Sequence, residues 1–272
     1  MNLENYFISQ FNSKYIGDDA AVIGTHIYSK DAFFENVHFK RKWMSFRQIS
    51  SKAMYVNISD AVAMNAKPRY ALLSVAMPKS MTKTDMQELA LGFKDVASEF
   101  GIEIIGGDTI SNTKLDITIT IISETKKALL RRGLRKNHLL AYTGKLGQSA
   151  KDLKKLMNLG TLHKKSKFVN IQLRDKFVNN VSRNLSAGMD ISDGLFSDLD
   201  KLASINKLGF KFLKKIPKSI GCSGEEYEML VSFDKRNKKA VLRKAKQSRL
   251  EINIFASAFR NRYINRCKAH HF

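Results

Sequence analysis

Cysteine is nearly absent from this 272-residue chain, which has only Cys222 and Cys267. Two cysteines are too few for a disulfide framework or a thiolate metal site, so a reducing cytoplasm is the expected compartment. Long apolar runs are missing as well. No stretch approaches the ~18 residues of a membrane span, and residues 1–11 lack a basic start followed by an apolar run. The expectation is a soluble, cytoplasmic protein with no membrane partner. There is no Gly-x-x-x-x-Gly-Lys segment, which excludes P-loop chemistry. No internal repeat, low-complexity tract or long linker occurs. Acidic residues are in short supply: 25 Asp and Glu stand against 47 Lys and Arg, for a net charge of +22. Such a balance favours anionic partners of any kind. The basic runs at 151–155 and 235–239 read as solvated helix faces, however, and no interleaving of aromatic and basic residues suggests a base-stacking groove. Nucleic acid is therefore not an expected partner.

The few carboxylates present are concentrated. They fall in Gly17-Asp18-Asp19, Asn57-Ile58-Ser59-Asp60, Gly106-Gly107-Asp108-Thr109, Asp190-Ile191-Ser192-Asp193-Gly194 and Ser223-Gly224-Glu225-Glu226-Tyr227-Glu228. Carboxylates among Gly and Ser, where the backbone turns tightly, suit hard cations and phosphate oxygens. Each segment also has an ordinary explanation. Gly-Asp-Asp is a common turn, and Ser192 or Asp193 could cap the helix that follows. A cap does not exclude a ligand, because an exposed helix N-terminus also offers N–H groups to phosphate. Asp60 is harder to explain away: it sits in the largely apolar run 53–64, where an unpaired carboxylate is costly.

Hydrophobic patterning predicts an α/β (α+β) fold in two units, a first over residues 1–135 and a second over 136–272. Strands are expected at 20–23, 32–34, 70–77, 102–105 and 115–122, the fourth delivering Gly-Gly-Asp-Thr as a turn. Helices are expected at 45–64 and 82–100, the latter closed by Gly101. In the second unit, strands fall at 139–143, 210–213, 229–233 and 252–259. Helices fall at 149–159, 168–181, 194–206 and 235–247.

Taken in order, six motifs resemble thiamine-monophosphate kinase, of the ATP-binding superfamily that includes aminoimidazole ribonucleotide synthetase. They are Gly-Asp-Asp, Asp-x-x-x-Glu-x-Val-His-Phe, Asn-Ile-Ser-Asp-x-x-Ala-Met, Gly-Gly-Asp-Thr, Asp-Ile-Ser-Asp-Gly-Leu and Ser-Gly-Glu-x-Tyr-Glu, spread over 17–233. The resemblance implies a synthetase-like fold whose N-terminal sheet domain dimerises beside a C-terminal α/β domain. It also implies Mg2+- and ATP-dependent phosphorylation of thiamine monophosphate. Metal ligands would be Asp19, Ser29, Asp31, Asp60, Asp108, Asp190 and Asp193, and ATP contacts Gly107, Asp108, Arg131 and Ser192. His38 and Glu225 would contact the acceptor, and no residue would act as general base. For Arg131 the neighbouring Arg132 is an alternative, and for His38 simple packing between Val37 and Phe39.

Several positions depart from the family pattern. Lys30 stands where the family commonly has Thr, and its ammonium is expected to replace part of a metal's charge. In the tail 268–272, Ala269 falls where an aromatic often covers the thiamine. A sibling ATP-using enzyme is the second reading. Hydrogenase-maturation relatives end in a reactive Cys, whereas five residues follow Cys267 here. A nucleic-acid-binding protein, motivated by net charge alone, is the third.

Overall fold

The computed structural model describes residues 3–268, so the tail positions Ala269, His270, His271 and Phe272 lie outside the described residues. The first half runs α1 (Leu3–Ile8), β1 (Ala21–Ile23), β2 (His26–Phe34), α2 (Phe46–Ala63), β3 (Lys67–Pro78), α3 (Lys83–Phe100), β4 (Glu103–Asn112) and β5 (Asp116–Glu124). Its sheet has the order β1-β2-β5-β3-β4, antiparallel except for the β3–β4 pair. The Thr/Ile alternation of β5 turns Ile117, Ile119 and Ile121 onto the core face, each at 0% exposure. Helices α2 and α3 cover that face. Both begin with a capping box, built by Ser45 with Gln48 and by Thr82 with Asp85. Gly101 ends α3 in the left-handed conformation, as expected.

The second half runs β6 (Leu139–Thr143), α4 (Gln148–Met157), α5 (Asp175–Val181), β7 (Ala187–Asp190), α6 (Leu195–Asn206), β8 (Gly209–Phe212), α7 (Lys218–Gly221), β9 (Met229–Phe233), α8 (Lys238–Gln247) and β10 (Ile252–Phe259). Its antiparallel sheet has the order β7-β9-β6-β10-β8. One apolar core runs from α2 and α3 (Ile58, Phe93) through to α5 and β9 (Phe177, Val231, Phe233). A second core seats α6 on the other face of this sheet, through Leu195, Leu199 and Leu202 against Met189, Leu230 and Phe255. Among the described residues no helix is long and apolar enough to cross a membrane.

Four expectations are corrected. Gly-Gly-Asp-Thr is not a turn: β4 continues through it, with a register shift opposite Ala71 and Leu72. A Cβ on Gly107 would lie 1.6 Å from the Leu73 carbonyl oxygen, so close backbone packing is what requires glycine there. Residues 168–174 are not helical, because Phe168 and Ile171 are buried in two different clusters and only 175–181 keep the helical face. Neither Ser192 nor Asp193 caps α6; its N-cap is Gly194, with φ 96° and no side-chain cap. Finally, Cys222 and Cys267 form a disulfide, bringing together chain segments 45 residues apart. That pairing runs against the reduced thiols expected from the low cysteine count.

Candidate active site

The acidic segments meet where α2 crosses the end of β7. Asp19 enters from the turn before β1, Asp60 from the last turns of α2 and Asp190 from the end of β7. One carboxylate oxygen from each lies within 4.8 Å of the other two. Ser59 donates to Asp190 Oδ2 at 2.6 Å, fixing that carboxylate from the neighbouring position on α2. Asp31 joins from β2, where its amide donates to Asn57 Oδ1 at 2.8 Å. Ser29, on the same face of β2, donates to the Asn57 carbonyl at 3.2 Å. Asn57 thus splices strand β2 to helix α2 beside the cluster.

Burial dominates the electrostatics. It pushes Asp19 up to about 7 although Arg131 pulls the other way, and Asp190 adds to the rise. Asp31 is raised to about 6 by burial and by the negative charges of Asp190 and Asp193. Burial also lifts Asp60 well above the carboxylate range, with Asp31, Asp190 and Asp19 adding repulsion, and it raises Asp190. Asp19 Oδ2 is buried with no hydrogen-bond partner among the described residues. A cluster of hard oxygen donors with an orphaned lone pair is the donor set that Mg2+ takes, so the residues fit such an ion.

Arg131 and not Arg132 faces the cluster. Its guanidinium Nε lies 3.1 Å from Asp19 Oδ1, and its backbone amide donates to Asp18 Oδ1 at 2.7 Å. Arg132 is exposed. Lys30 is placed differently from the expectation. Side chains alternate along β2, so it projects from the face opposite Ser29 and Asp31, where its ammonium reaches Thr118 Oγ1 at 3.2 Å. It cannot replace a metal's charge at this cluster.

The loop after α7 closes the other side. The Glu225 amide donates to the Ser192 carbonyl at 2.7 Å, tying the Ser-Gly-Glu loop to the Asp-Ile-Ser-Asp segment. Glu225 and Tyr227 both adopt positive φ, 53° and 48°, a conformation held by the surrounding bonds. Lys52 of α2 is fully buried, with Nζ 2.7 Å from Glu225 Oε2 and 3.4 Å from the centre of the Phe168 ring. Burial lowers the Lys52 pKa while Glu225 opposes the drop. Glu226 accepts from the Gly147 amide at 2.7 Å, and Glu228 is gripped by Arg174 at 2.6 Å. His38 is half buried: its Nδ1 accepts from the Phe34 amide at 3.0 Å and its ring stacks on Phe33.

Gly107 and Asp108 are not brought to this cluster within one chain. They lie on β4, the exposed edge of the first sheet, three strands from β2, or roughly 14 Å at ordinary strand spacing. Lys52, Asp198 and Lys201 belong to the site although no sequence motif singled them out. Lys201 Nζ lies 2.6 Å from Asp193 Oδ2 and 3.1 Å from Asp198 Oδ1. The available signal was the Asp198 and Lys201 pair, three residues apart on a helix whose neighbours Leu195, Leu199 and Leu202 form the core stripe.

Known proteins are similar to this chain in sequence and in fold. Residues 17–125 match the family described as AIR synthase related protein, N-terminal domain. The thiamine-monophosphate kinase of Bacillus subtilis (strain 168) is 33% identical over 218 residues, covering 74% of this chain and 67% of the relative. That of Buchnera aphidicola subsp. Schizaphis graminum is 33% identical over 256 residues, covering 82% and 78%. Among solved structures, AaThiL complexed with AMPPCP and TMP superposes with a TM-score of 0.86 at 22% identity, over 99% of this chain and 96% of that one. The hydrogenase maturation protein HypE has a TM-score of 0.73 at 15% identity, over 98% and 91%. The fold is therefore common to proteins of different activity, and sequence identity decides between them.

Proposed function

The chain belongs to the thiamine-monophosphate kinase family, and on that premise we propose that it moves the γ-phosphoryl group of ATP directly onto the phosphate of thiamine monophosphate, giving thiamine diphosphate. The observation that carries this reading is the convergence of Asp19, Asp60 and Asp190 within 4.8 Å, flanked by Arg131. The acceptor is a phosphate whose second pKa is about 6, so it is largely ionised at neutral pH and needs no strong general base. What remains is to bring two polyanions together and in line.

Asp19, Asp31, Asp60 and Asp190 would hold Mg2+, with Ser29 and Asp193 beside them. Bound there, Mg2+ supplies charge neutralisation and polarisation of the phosphoryl oxygens. Arg131, steered by Asp19, presents a cation to the nucleotide phosphates. Ser192 and the backbone before α6 offer polar contacts at the same place. Glu225, set in position by Lys52, and His38, set by Phe33 and Phe34, hold the acceptor. The unit over 1–135 thus brings most of the metal ligands, and the unit over 136–272 brings Asp190, Asp193 and Glu225.

Two copies would pair through the first sheet. In support, β4 is exposed along nearly its whole length, with Ile105 and Ile110 open at the edge, Tyr70 and Leu72 exposed on the adjacent β3, and Tyr28 exposed on β2. A bare ten-residue edge of this kind is normally covered. Pairing would also let Gly107 and Asp108 of one copy serve the acidic cluster of the other. We place the enzyme in the cytoplasm, where ATP is made; reduction there would turn the Cys222–Cys267 bond into two adjacent thiols. A hydrogenase-maturation type of chemistry is disfavoured because HypE is only 15% identical to this chain, against 33% for the thiamine-monophosphate kinases.

The test is direct. Purified protein with Mg2+, ATP and thiamine monophosphate is expected to form thiamine diphosphate, and Asp60→Asn is expected to slow the reaction on the order of 100-fold or more. ATP hydrolysis that is slow and indifferent to the acceptor would refute the assignment.

A further inference from the structure

Six carboxylates crowd this site, those of Asp19, Asp31, Asp60, Asp190, Asp193 and Asp198, and two basic side chains, Arg131 and Lys201, lie among them. Arg131 is engaged by Asp19. Lys201, on α6, is engaged by Asp193 at 2.6 Å and Asp198 at 3.1 Å. Asp198 is the unusual member. It is 0% exposed in the first turn of α6; its Oδ1 meets only the Lys201 ammonium, and its Oδ2 has no hydrogen-bond partner among the described residues. An i,i+3 pair on a helix surface contributes only a few tenths of a kcal/mol and would not justify burying a carboxylate. This pair is different, because the ammonium reaches beyond its own helix to a carboxylate of the acidic cluster. Burial pushes Asp198 up to about 8 while Lys201 pulls it back down, and Asp198 is thereby a buried partner that holds Lys201 against Asp193.

We propose that Lys201 is a built-in cation of the site: its ammonium takes the place of one divalent ion at Asp193, and Asp198 pins it there. The part that the sequence suggested for Lys30 thus falls to Lys201. Lysine suits it, being a compact point charge on a flexible stem that can also face phosphate oxygens. Its side chain keeps 34% exposure, open to an incoming polyanion. The proposal rests on the acidic cluster being a metal site, and its test does not use turnover.

Mn2+ binding is measured by electron paramagnetic resonance of the unbound ion, with no ATP and no thiamine monophosphate present. Lys201→Met is expected to bind about one more Mn2+ per chain than the unmodified protein, and Lys201→Arg to keep the original number. The double variant Asp198→Asn with Lys201→Met leaves no unpaired buried charge at this pair, so it guards against failure to fold, and it too is expected to take up the additional ion. Equal stoichiometry in all folded variants, with affinities within about twofold, overturns the role of Lys201 and leaves the kinase reading standing. If no variant and not even the unmodified protein binds Mn2+, the metal reading of the cluster fails and this proposal fails with it.

Discussion

Asp19, Asp31 and Asp60 are ionisable groups placed where ionisation is disfavoured, and this gives the metal-free protein a definite response to pH. Their folded pKa values lie above the ordinary aspartate value of 3.8, at about 7 for Asp19 and about 6 for Asp31. The folded state therefore binds more protons than the unfolded state between about pH 4 and pH 7. Stability due to these groups is complete below about pH 4 and is lost as pH rises through 6 and 7. Chemical denaturation in a chelator should thus show stability falling from pH 4 to pH 7, on the order of 1 kcal/mol per pH unit. Mg2+ should flatten the fall, since ligation stabilises the ionised carboxylates. A metal-free profile that is flat or rises over that range would contradict the burial of these carboxylates. At this scale much was legible in the sequence. Asp19, Asp60 and Asp190 stood out because each sits in a short motif of small and acidic residues. Strand alternation separates Lys30 from Ser29 and Asp31, but the strand expected at 32–34 did not reach back to them, whereas β2 starts at His26. The Lys201–Asp193 contact was not legible, because it depends on how α6 leaves Gly194 and on which turn faces the cluster.

Elements whose ends carry local signals were recovered within a residue or two, as with α2 and α3, whose capping boxes are written in Ser45, Gln48, Thr82 and Asp85. Elements decided by distant partners were not. Strand β4 reads as a stop at Gly106-Gly107, yet pairing with β3 carries it on to Asn112. Gly107→Ala tests the reason for that glycine. With φ at 148° and a Leu73 oxygen 1.6 Å from the added Cβ, the substitution must part β3 from β4. A loss of about 3 kcal/mol is expected in urea denaturation. A loss below about 0.5 kcal/mol would mean that β4 is not held at this register. The Cys222–Cys267 link is a second element-scale feature that composition could not disclose, since a count of two cysteines does not say whether the fold brings them within bonding distance. It joins the segment after β10 to the loop that presents Glu225. Cys222→Ser, or the unmodified protein in reductant, is expected to lose roughly 2–4 kcal/mol through the freer unfolded chain. Identical melting with and without reductant would show that the link contributes nothing to stability.

At the scale of the whole molecule the unresolved demand is Asp108. It resembles a metal and ATP residue, yet it lies on the outer edge of the first sheet, three strands away from Asp31. A two-fold pair sharing this sheet answers the demand, because an isologous contact brings each edge to the other copy. Asp60 and Asp108 would then serve one site from two different chains, and this can be read by complementation. Asp60→Asn and Asp108→Asn are each expected to be nearly inactive alone. Unfolded together and refolded in equal amounts, they form mixed dimers in which one site collects both substitutions and the other collects neither. Half of the dimers are mixed and half of their sites are intact, so about a quarter of the unmodified activity should return. If both residues belonged to one chain's site, every site in every dimer would carry one defect and mixing would restore nothing. A protein that sediments as a monomer at assay concentrations, yet retains full activity, would also exclude the shared site.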